Sequence, residues 1–206
     1  GSLDLIRAAA RDPRLRWSSG PDGGIADAMN KGLAQATGEV VAFLHADDRY
    51  CRDDVLSRVA AAMEARPAAL WLTAGVREID AAGAPLREIG VRRFSRRRLL
   101  RNNIILHPAT FVRREAFARV GGFDPGLRYA MDYDLWLRLA RLGPPLELDA
   151  LLADFRVHGG SLSSANARAA LEEEYQVRQR YLRGPLSRAA HALYHRWRCS
   201  RVPGDR

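Results

Sequence analysis

Apolar residues recur along this chain either at helical spacing or in short continuous runs. The helical spacing predicts helices over residues 3–10, 25–36, 53–65, 132–142, 164–182 and 185–199. The continuous runs predict strands over residues 15–18, 40–44, 70–79, 86–91, 104–106, 110–112 and 148–157. Strands that alternate with helices indicate an α/β fold, here a mostly parallel, Rossmann-like sheet flanked by helices.

The length of 206 residues suits one α/β domain with an appended helical segment. We expect a catalytic-type domain over residues 1–163 and a C-terminal helical extension over residues 164–206. Hydrophobic residues make up 47% of the chain, which is enough for a sizeable core. No apolar stretch approaches the roughly 18 residues that span a bilayer.

An acidic pair follows the apolar run 40–44. Such a run is typical of a strand buried on both faces, and it ends at His45-Ala46-Asp47-Asp48. Ligands of open α/β sheets bind at the carboxyl ends of strands, so we expect Asp47 and Asp48 to face a crevice. Neighbouring carboxylates repel unless a cation or hydrogen-bond donors neutralise them, and Mg²⁺ and Mn²⁺ prefer oxygen ligands. A structural interpretation, in which Asp48 caps the turn and Asp47 is solvated, stays open.

A second acidic segment, Met131-Asp132-Tyr133-Asp134, opens the helix predicted from residue 132. A carboxylate there is stabilised by the free backbone N–H groups of the first turn, which is a structural reason for Asp132. Asp134 has the i,i+4 spacing for an ion pair with Arg138, which leaves Asp132 as the freer carboxylate.

Two further places carry candidate polar chemistry. His158 ends a predicted strand, where a neutral imidazole can ligate Mn²⁺ and a protonated one can bind a phosphate oxygen. The glycine-rich turn at 23–24 enters a helix that carries Asp27 and Lys31, and such turns approach phosphates closely. A structural histidine and a surface ion pair between Asp27 and Lys31 are the plain alternatives.

The net charge of +9, from 33 basic and 24 acidic residues, favours anionic partners such as a nucleotide, a phospholipid surface or nucleic acid. We exclude nucleic acid as the partner because no nucleic-acid motif is recognisable and aromatic residues do not alternate with the arginines. The two cysteines, Cys51 and Cys199, lack metal-ligand spacing and indicate a reducing compartment. With no signal peptide recognisable, we expect a cytoplasmic location.

Four segments in order resemble family 2 of the glycosyltransferases, which have the GT-A fold. They are Pro-Asp-Gly-Gly-Ile-Ala-Asp-Ala-Met-Asn-Lys-Gly, the strand into His-Ala-Asp-Asp, His-Pro-Ala-Thr-Phe through Gly-Gly-Phe-Asp to Met-Asp-Tyr-Asp-Leu-Trp-Leu-Arg, and Phe-Arg-Val-His-Gly-Gly-Ser-Leu-Ser. The resemblance covers roughly residues 3–164. It implies an inverting transfer of a sugar from a nucleotide-diphosphate donor to a saccharide or lipid-linked acceptor.

The resemblance also implies residue roles. Asp132 matches the general base, Asp48 and His158 match positions that hold Mg²⁺ or Mn²⁺ on the donor diphosphate, and Asp47 matches a position at the donor. Asp22, Asp27 and Lys31 match the segment that lines the nucleotide cleft. The chain departs from the family at His45, the first position of the DxD-type motif, and at Met131, where the family has a glutamate.

The start of the chain is a further departure, because relatives begin with strands that do not precede Leu3 here. We therefore expect an N-terminally truncated domain. A non-catalytic relative that binds nucleotide or protein is the alternative function.

The last predicted helix is amphipathic, with Leu186, Leu193 and Trp197 on one face and arginines mostly elsewhere. Such a helix suits an anionic membrane interface at the inner face of the plasma membrane, or packing on the domain or on a second copy of the chain. The basic segment 92–101 suits a lipid-linked phosphate acceptor or a solvated surface. Both features fit cell-surface polysaccharide or glycolipid synthesis.

Overall fold

The computed structural model describes residues 2–158 and 166–202. The helices are α1 (Ser2–Ala9), α2 (Ile25–Gln35), α3 (Val55–Glu64), α4 (Arg96–Arg101), α5 (Arg114–Val120), α6 (Met131–Leu142), α7 (Ala167–Gln179) and α8 (Pro185–Cys199). The strands are β1 (Val40–Ala42), β2 (Arg49–Tyr50), β3 (Trp71–Ile79), β4 (Pro85–Ile89), β5 (Thr110–Arg113) and β6 (Leu146–Arg156).

The strands form one sheet in the order β1-β5-β3-β6-β2, with β4 paired to β3 outside this path. The α/β class is confirmed. The sheet is mixed rather than mostly parallel, because among the described strands only β3 and β6 pair in parallel. The apolar run at β1 pairs antiparallel with β5, with Val41 opposite Val112. An apolar run indicates that a strand packs against other residues on both of its faces, but it does not indicate whether the strand pairs in parallel or antiparallel.

Two predicted strands are wrong. Residues 15–18 form no strand, and Leu15 and Trp17 are each 42% exposed. Residues 104–106 are buried at Ile104 and Ile105 but lead without strand pairing into a 3₁₀ turn (His107–Ala109). The helices α4 and α5 were missed because each is short and the periodicity of a six- or seven-residue segment is weak.

The sheet is covered by apolar residues on both faces. On one face, Trp136 of α6 stacks on Trp71 of β3 with ring centroids 6.0 Å apart. On the other face, Val55, Val59 and Met63 of α3 are buried against the sheet. These contacts hold α6 at a fixed place relative to β3, so a side chain in the first turn of α6 has a defined position.

The C-terminal helices pack on the α/β domain. Val177 of α7 is fully buried in the cluster that contains α6. An ion pair joins α8 to α7, with Arg198 Nη1 lying 2.6 Å from Glu174 Oε2. The expected domain boundary at 163/164 lies outside the described residues, so the division into domains stays a prediction. No helix in the described ranges is both long and apolar enough to cross a membrane.

Candidate active site

The acidic loop after β1 is fastened to β6. Asp48 Oδ1 accepts a hydrogen bond from the backbone N–H of Arg156 at 3.0 Å. Arg156 Nε in turn donates to the carbonyl oxygen of Asp47 at 3.1 Å, and its Nη1 donates to the carbonyl oxygens of Asp80 and Ala81. Burial raises the pKa of Asp48 above its usual value. The loop is thereby held at the carboxyl end of β6, the end that bears Arg156.

The two members of the acidic pair differ in exposure and in partner. The side chain of Asp47 is 46% exposed, and its Oδ2 lies 3.1 Å from Nε2 of His158. This hydrogen bond holds the pKa of Asp47 below its usual value. The structure therefore places His158 against Asp47, while Asp48 is bonded to the backbone of Arg156.

Asp132 lies in the first turn of α6 with both carboxylate oxygens engaged. Its Oδ1 accepts from the backbone N–H of Tyr133 at 2.6 Å, and its Oδ2 accepts from Asn103 Nδ2 at 3.1 Å. Burial raises the pKa of Asp132 to about 6. The predicted ion pair of its neighbour Asp134 with Arg138 is confirmed, at 2.8 Å. Asp132 is thus the carboxylate of this turn with the raised proton affinity.

His107 lies beside Asp132 and was not singled out in the sequence. Its Nδ1 is 3.9 Å from Asp132 Oδ2, and its ring centroid is 5.0 Å from that of His45. Burial lowers the pKa of His107 to about 3, so the imidazole is neutral at physiological pH. The ring stacks on Phe123 at 6.1 Å. His107 opens the His-Pro-Ala-Thr-Phe segment that carries part of the family resemblance, but that segment alone does not predict its contact with Asp132.

One cavity of about 460 Å³ brings these groups together. Asp47, Asp48 and Asp132 all line it, with His45 and His107. The other polar or charged side chains of the lining are Glu78, Arg128, Tyr129 and Arg156. The acidic loop and the first turn of α6, which are 84 residues apart from Asp48 to Asp132 in the sequence, thus share one concave site.

The glycine-rich segment lines a neighbouring cavity. Asp22 and Lys31 line a more open space of about 690 Å³ with Arg14 and Arg16. The ion pair of Asp27 Oδ2 with Lys31 Nζ is present at 2.7 Å. Asp27 and Asp22 also accept backbone N–H bonds from the glycine turn. Helix α2, which carries Asp27 and Lys31, also contributes two apolar residues, Ile25 and Met29, to the first cavity.

A divalent cation fits this donor set only in part. In the described ranges, no three His, Cys, Asp or Glu side chains come together as a set of metal ligands. Asp47 and His158 are a carboxylate and an imidazole already in contact, with Asp48 next in the chain. Mg²⁺ is commonly bound through one or two carboxylates, with substrate phosphates and water completing its shell. The arrangement therefore suits a cation that shares its coordination with a diphosphate.

Comparison with known proteins adds to this geometry. Residues 1–121 match the sequence profile described as "Glycosyl transferase family 2". An uncharacterised glycosyltransferase of Mycobacterium tuberculosis is 32% identical over 147 residues, which are 69% of this chain and 54% of that protein. A PGL/p-HBAD biosynthesis glycosyltransferase of the same organism is 36% identical over 140 residues, which are 66% of this chain and 52% of that protein. The chain thus spans about half the length of these curated relatives.

Among solved structures, a mannosyltransferase from Pyrobaculum calidifontis in complex with GDP-Man and Mn²⁺ is similar, with a TM-score of 0.62. The similarity covers 95% of this chain and 58% of that one at 19% identity. At this identity the likeness shows the fold, which is the GT-A-like fold that the sequence predicted.

Proposed function

The chain belongs to glycosyl transferase family 2, and we propose that it transfers a sugar from a nucleotide-diphosphate donor to an acceptor hydroxyl with inversion. One observation carries this proposal: a buried carboxylate with a pKa of about 6 shares a cavity with an acidic pair. The first is suited to proton transfer near neutral pH, and the second is suited to a cation-bound diphosphate.

Asp132 is the proposed general base. At pH 7 a carboxyl group with a pKa of about 6 is ionised in most molecules, yet it accepts a proton more readily than an exposed aspartate. Asn103 and the N–H of Tyr133 orient its two oxygens. Asp132 takes the proton from the acceptor hydroxyl, whose oxygen attacks the anomeric carbon as the bond to the nucleotide diphosphate breaks. A single displacement of this kind inverts the anomeric centre.

Asp47, Asp48 and His158 are the proposed residues for the donor diphosphate. They would hold Mg²⁺ or Mn²⁺, which offsets the negative charge that develops on the leaving diphosphate. Asp47 presents an exposed oxygen to the cavity, and its low pKa keeps it ionised. The proposed donor-binding residues are Asp22 and Lys31, which line the adjoining cavity, and Asp27, which forms an ion pair with Lys31. The solved mannosyltransferase with GDP-Man and Mn²⁺ supports a donor of this class.

We further propose an acceptor carried on an anionic membrane, at its cytoplasmic face. The structure joins the two basic segments of the sequence: Tyr194 of α8 donates to Asn102 after α4 at 2.7 Å, and the Arg101 guanidinium lies 4.5 Å over the Tyr194 ring. On α8, Leu193 is 66% exposed and Trp197 is 50% exposed. Exposed apolar side chains flanked by arginines suit the interface of an anionic bilayer.

Vesicle sedimentation tests this membrane surface. We expect binding to phosphatidylcholine vesicles that contain phosphatidylglycerol, loss of binding in Leu193→Glu, and no change in the control Leu86→Glu on β4. If the wild-type protein does not bind vesicles that contain phosphatidylglycerol, the membrane proposal is wrong. If Leu193→Glu instead splits a dimer in analytical ultracentrifugation, the face is an interface between two copies.

Calorimetry with UDP, GDP and dTDP, each with and without Mn²⁺, tests the function itself. We expect one nucleotide to bind in an Mn²⁺-dependent way, and Asp48→Ala to abolish the dependence. The exposed Asp149 provides the matched control, since Asp149→Ala should leave binding intact. No binding of any nucleotide would contradict the proposal. Binding without any sugar transfer, and without an effect of Asp132→Asn, would indicate a non-catalytic relative.

A further inference from the structure

The segment that leads into α6 is capped by a glutamate of α7. Glu173 of α7 accepts hydrogen bonds from three consecutive backbone N–H groups, those of Arg128 at 2.9 Å, Tyr129 at 2.5 Å and Ala130 at 2.6 Å. Ala130 is the N-cap residue of α6 and has no side-chain acceptor to offer. An N-cap side chain normally accepts from the second or third N–H group of its own helix. Glu173 caps α6 differently: it accepts from the N–H of the N-cap residue and from those of the two residues before it, and so holds the segment that leads into the helix.

The capped segment is a wall of the candidate active site. Arg128 and Tyr129 line the cavity, and so do the next residues, Met131 and Asp132. Bonds to an ionised acceptor are stronger than bonds between neutral groups, so one carboxylate fixes three successive peptide groups of this wall. Without Glu173, these N–H groups would bond to water, and the side chain of Asp132, now 20% exposed, would become more exposed.

The residues just after α7 contact α6 and the loop before it at a second place. Arg180, which follows α7, pairs with Asp124 at 3.0 Å and with Asp134 at 3.4 Å. The hydroxyl of Tyr181 lies 3.3 Å from the same Asp134 oxygen. Because α7 is anchored independently of Glu173, a change at Glu173 alone leaves the helix in place and acts on the capped segment.

We propose that Glu173 is a positioning residue for Asp132, so that helix α7 sets both the position and the solvent exposure of the general base. The proposal rests on the proposed function for the role of Asp132 as a base. Besides Asn103, the groups that face Asp132 are His107, which is neutral, and Glu174 of α7, whose charge raises the pKa of Asp132.

The test compares Glu173→Ala and Glu173→Gln with the control Glu172→Ala. Glu172 is the adjacent, exposed glutamate, and it contacts His195 of α8 instead of α6. Amide hydrogen exchange at Arg128, Tyr129 and Ala130, and the carboxyl ¹³C titration of Asp132, are read by NMR. Neither measurement needs a substrate.

We expect Glu173→Ala to lose exchange protection at these three amides while the middle of α6 stays protected. The pKa of Asp132 should fall from about 6 toward its ordinary value as water enters. Glu173→Gln, which keeps one acceptor oxygen, should lie between Glu173→Ala and wild type. Unchanged protection, or lost protection with an unchanged pKa of Asp132, would overturn the proposal.

A kinetic arm separates this proposal from the proposed function. With any donor that wild type turns over, Glu173→Ala should lower kcat about 10- to 100-fold at an unchanged donor KM, the scale expected of a small displacement of a catalytic group. An unchanged kcat would overturn the positioning role. If wild type turns over no donor, the proposed function fails while the NMR result still decides whether Glu173 positions Asp132.

Discussion

The acidic loop after β1 and the first turn of α6 both bring aspartates to one cavity, yet Asp47 of the loop and Asp132 of the helix turn lie in opposite electrostatic conditions. Asp47 is about half exposed and has a lowered pKa because His158 bonds its carboxylate. Asp132 is 20% exposed, and burial raises its pKa to about 6. Asp47 keeps its charge over the physiological range, whereas Asp132 can exchange a proton within that range.

Pairs of acidic groups whose environments separate their pKa values commonly divide the work of a catalytic site. The residue type is the same in both places, so the difference comes from the surroundings. A contacting imidazole favours the charged form of Asp47, while burial favours the neutral form of Asp132. This difference supports the proposed roles, charge stabilisation for Asp47 and proton transfer for Asp132.

The largest expected effect comes from removing the proposed base, Asp132. Asp132→Asn should lower kcat by roughly 10²- to 10⁴-fold, because an amide cannot take the acceptor proton. Nucleotide binding, measured by calorimetry, should stay as in wild type, since Asp132 is assigned to proton transfer and the acidic loop to the donor. Asp149→Asn is the matched control. A variant that keeps its turnover would remove Asp132 from the mechanism.

Stability against pH separates the two aspartates by sign. Because the folded pKa of Asp132 lies above its unfolded value, ionising this carboxyl costs stability as pH rises from about 4 to about 6, and the full cost remains above 6. As the pH rises from about 4 to about 7, the free energy of unfolding of Asp132→Asn should therefore rise by up to about 3 kcal/mol relative to that of wild type.

Asp47→Asn should change in the opposite direction, because the lowered pKa of Asp47 stabilises the folded protein above the unfolded pKa and this contribution is lost on acidification. Urea unfolding of wild type and both variants from about pH 2 to pH 7 measures the two slopes, because the slope due to Asp47 lies at and below its unfolded pKa and the slope due to Asp132 lies above its own. Parallel slopes would show that the environments of the two carboxyl groups are alike.

Donor binding should respond to the loop. Asp47→Asn should weaken nucleotide affinity in Mn²⁺ by at least roughly 10- to 100-fold, the loss that outer-shell substitutions at metal sites already cause. The affinity without Mn²⁺ should change little. The pKa of Asp132, followed by NMR, serves as the control and should stay at about 6. Equal weakening with and without Mn²⁺ would remove Asp47 from the cation site.

The smallest expected effect is a shift of a pH profile. Asn103 donates to Asp132 Oδ2 and so favours the ionised base. Asn103→Ala should move the acid limb of the kcat profile to higher pH, with little change of kcat on the plateau. Gln176→Ala, which removes an exposed amide from α7, serves as the comparison for the effect of losing an amide. A shift to lower pH would mean that water entry outweighs the lost bond.

Much of the fold follows from the sequence, because long periodic segments carry clear patterns. Helix α8 was predicted with its observed bounds, and α3 and β3 were predicted to within two residues at each end. The sheet direction was not predictable in this way, since the apolar run of β1 looks the same in parallel and antiparallel pairing. Short helices such as α4 are decided by tertiary packing, here of buried Leu99.

The candidate site was predictable where acidic residues follow a regular element. Asp47, Asp48 and Asp132 stand at the end of a strand and the start of a helix, and the structure brings them to one cavity. His107 and Glu173 were not predictable, because their roles come from contacts across the fold. A glutamate in the middle of an amphipathic helix resembles any solvated residue until the facing N–H groups are known.

The cap that Glu173 gives to α6 has a consequence for recombination within the family. A chimera joined after β6 would keep every residue of the acidic loop and of the first turn of α6, yet it would inherit α7 from another parent. Where that parent lacks an acidic side chain facing residues 128–130, these N–H groups would have no carboxylate partner, and Asp132, the proposed base, would be displaced and more exposed. Crossover points that keep α6 and α7 from the same parent should therefore yield the active hybrids.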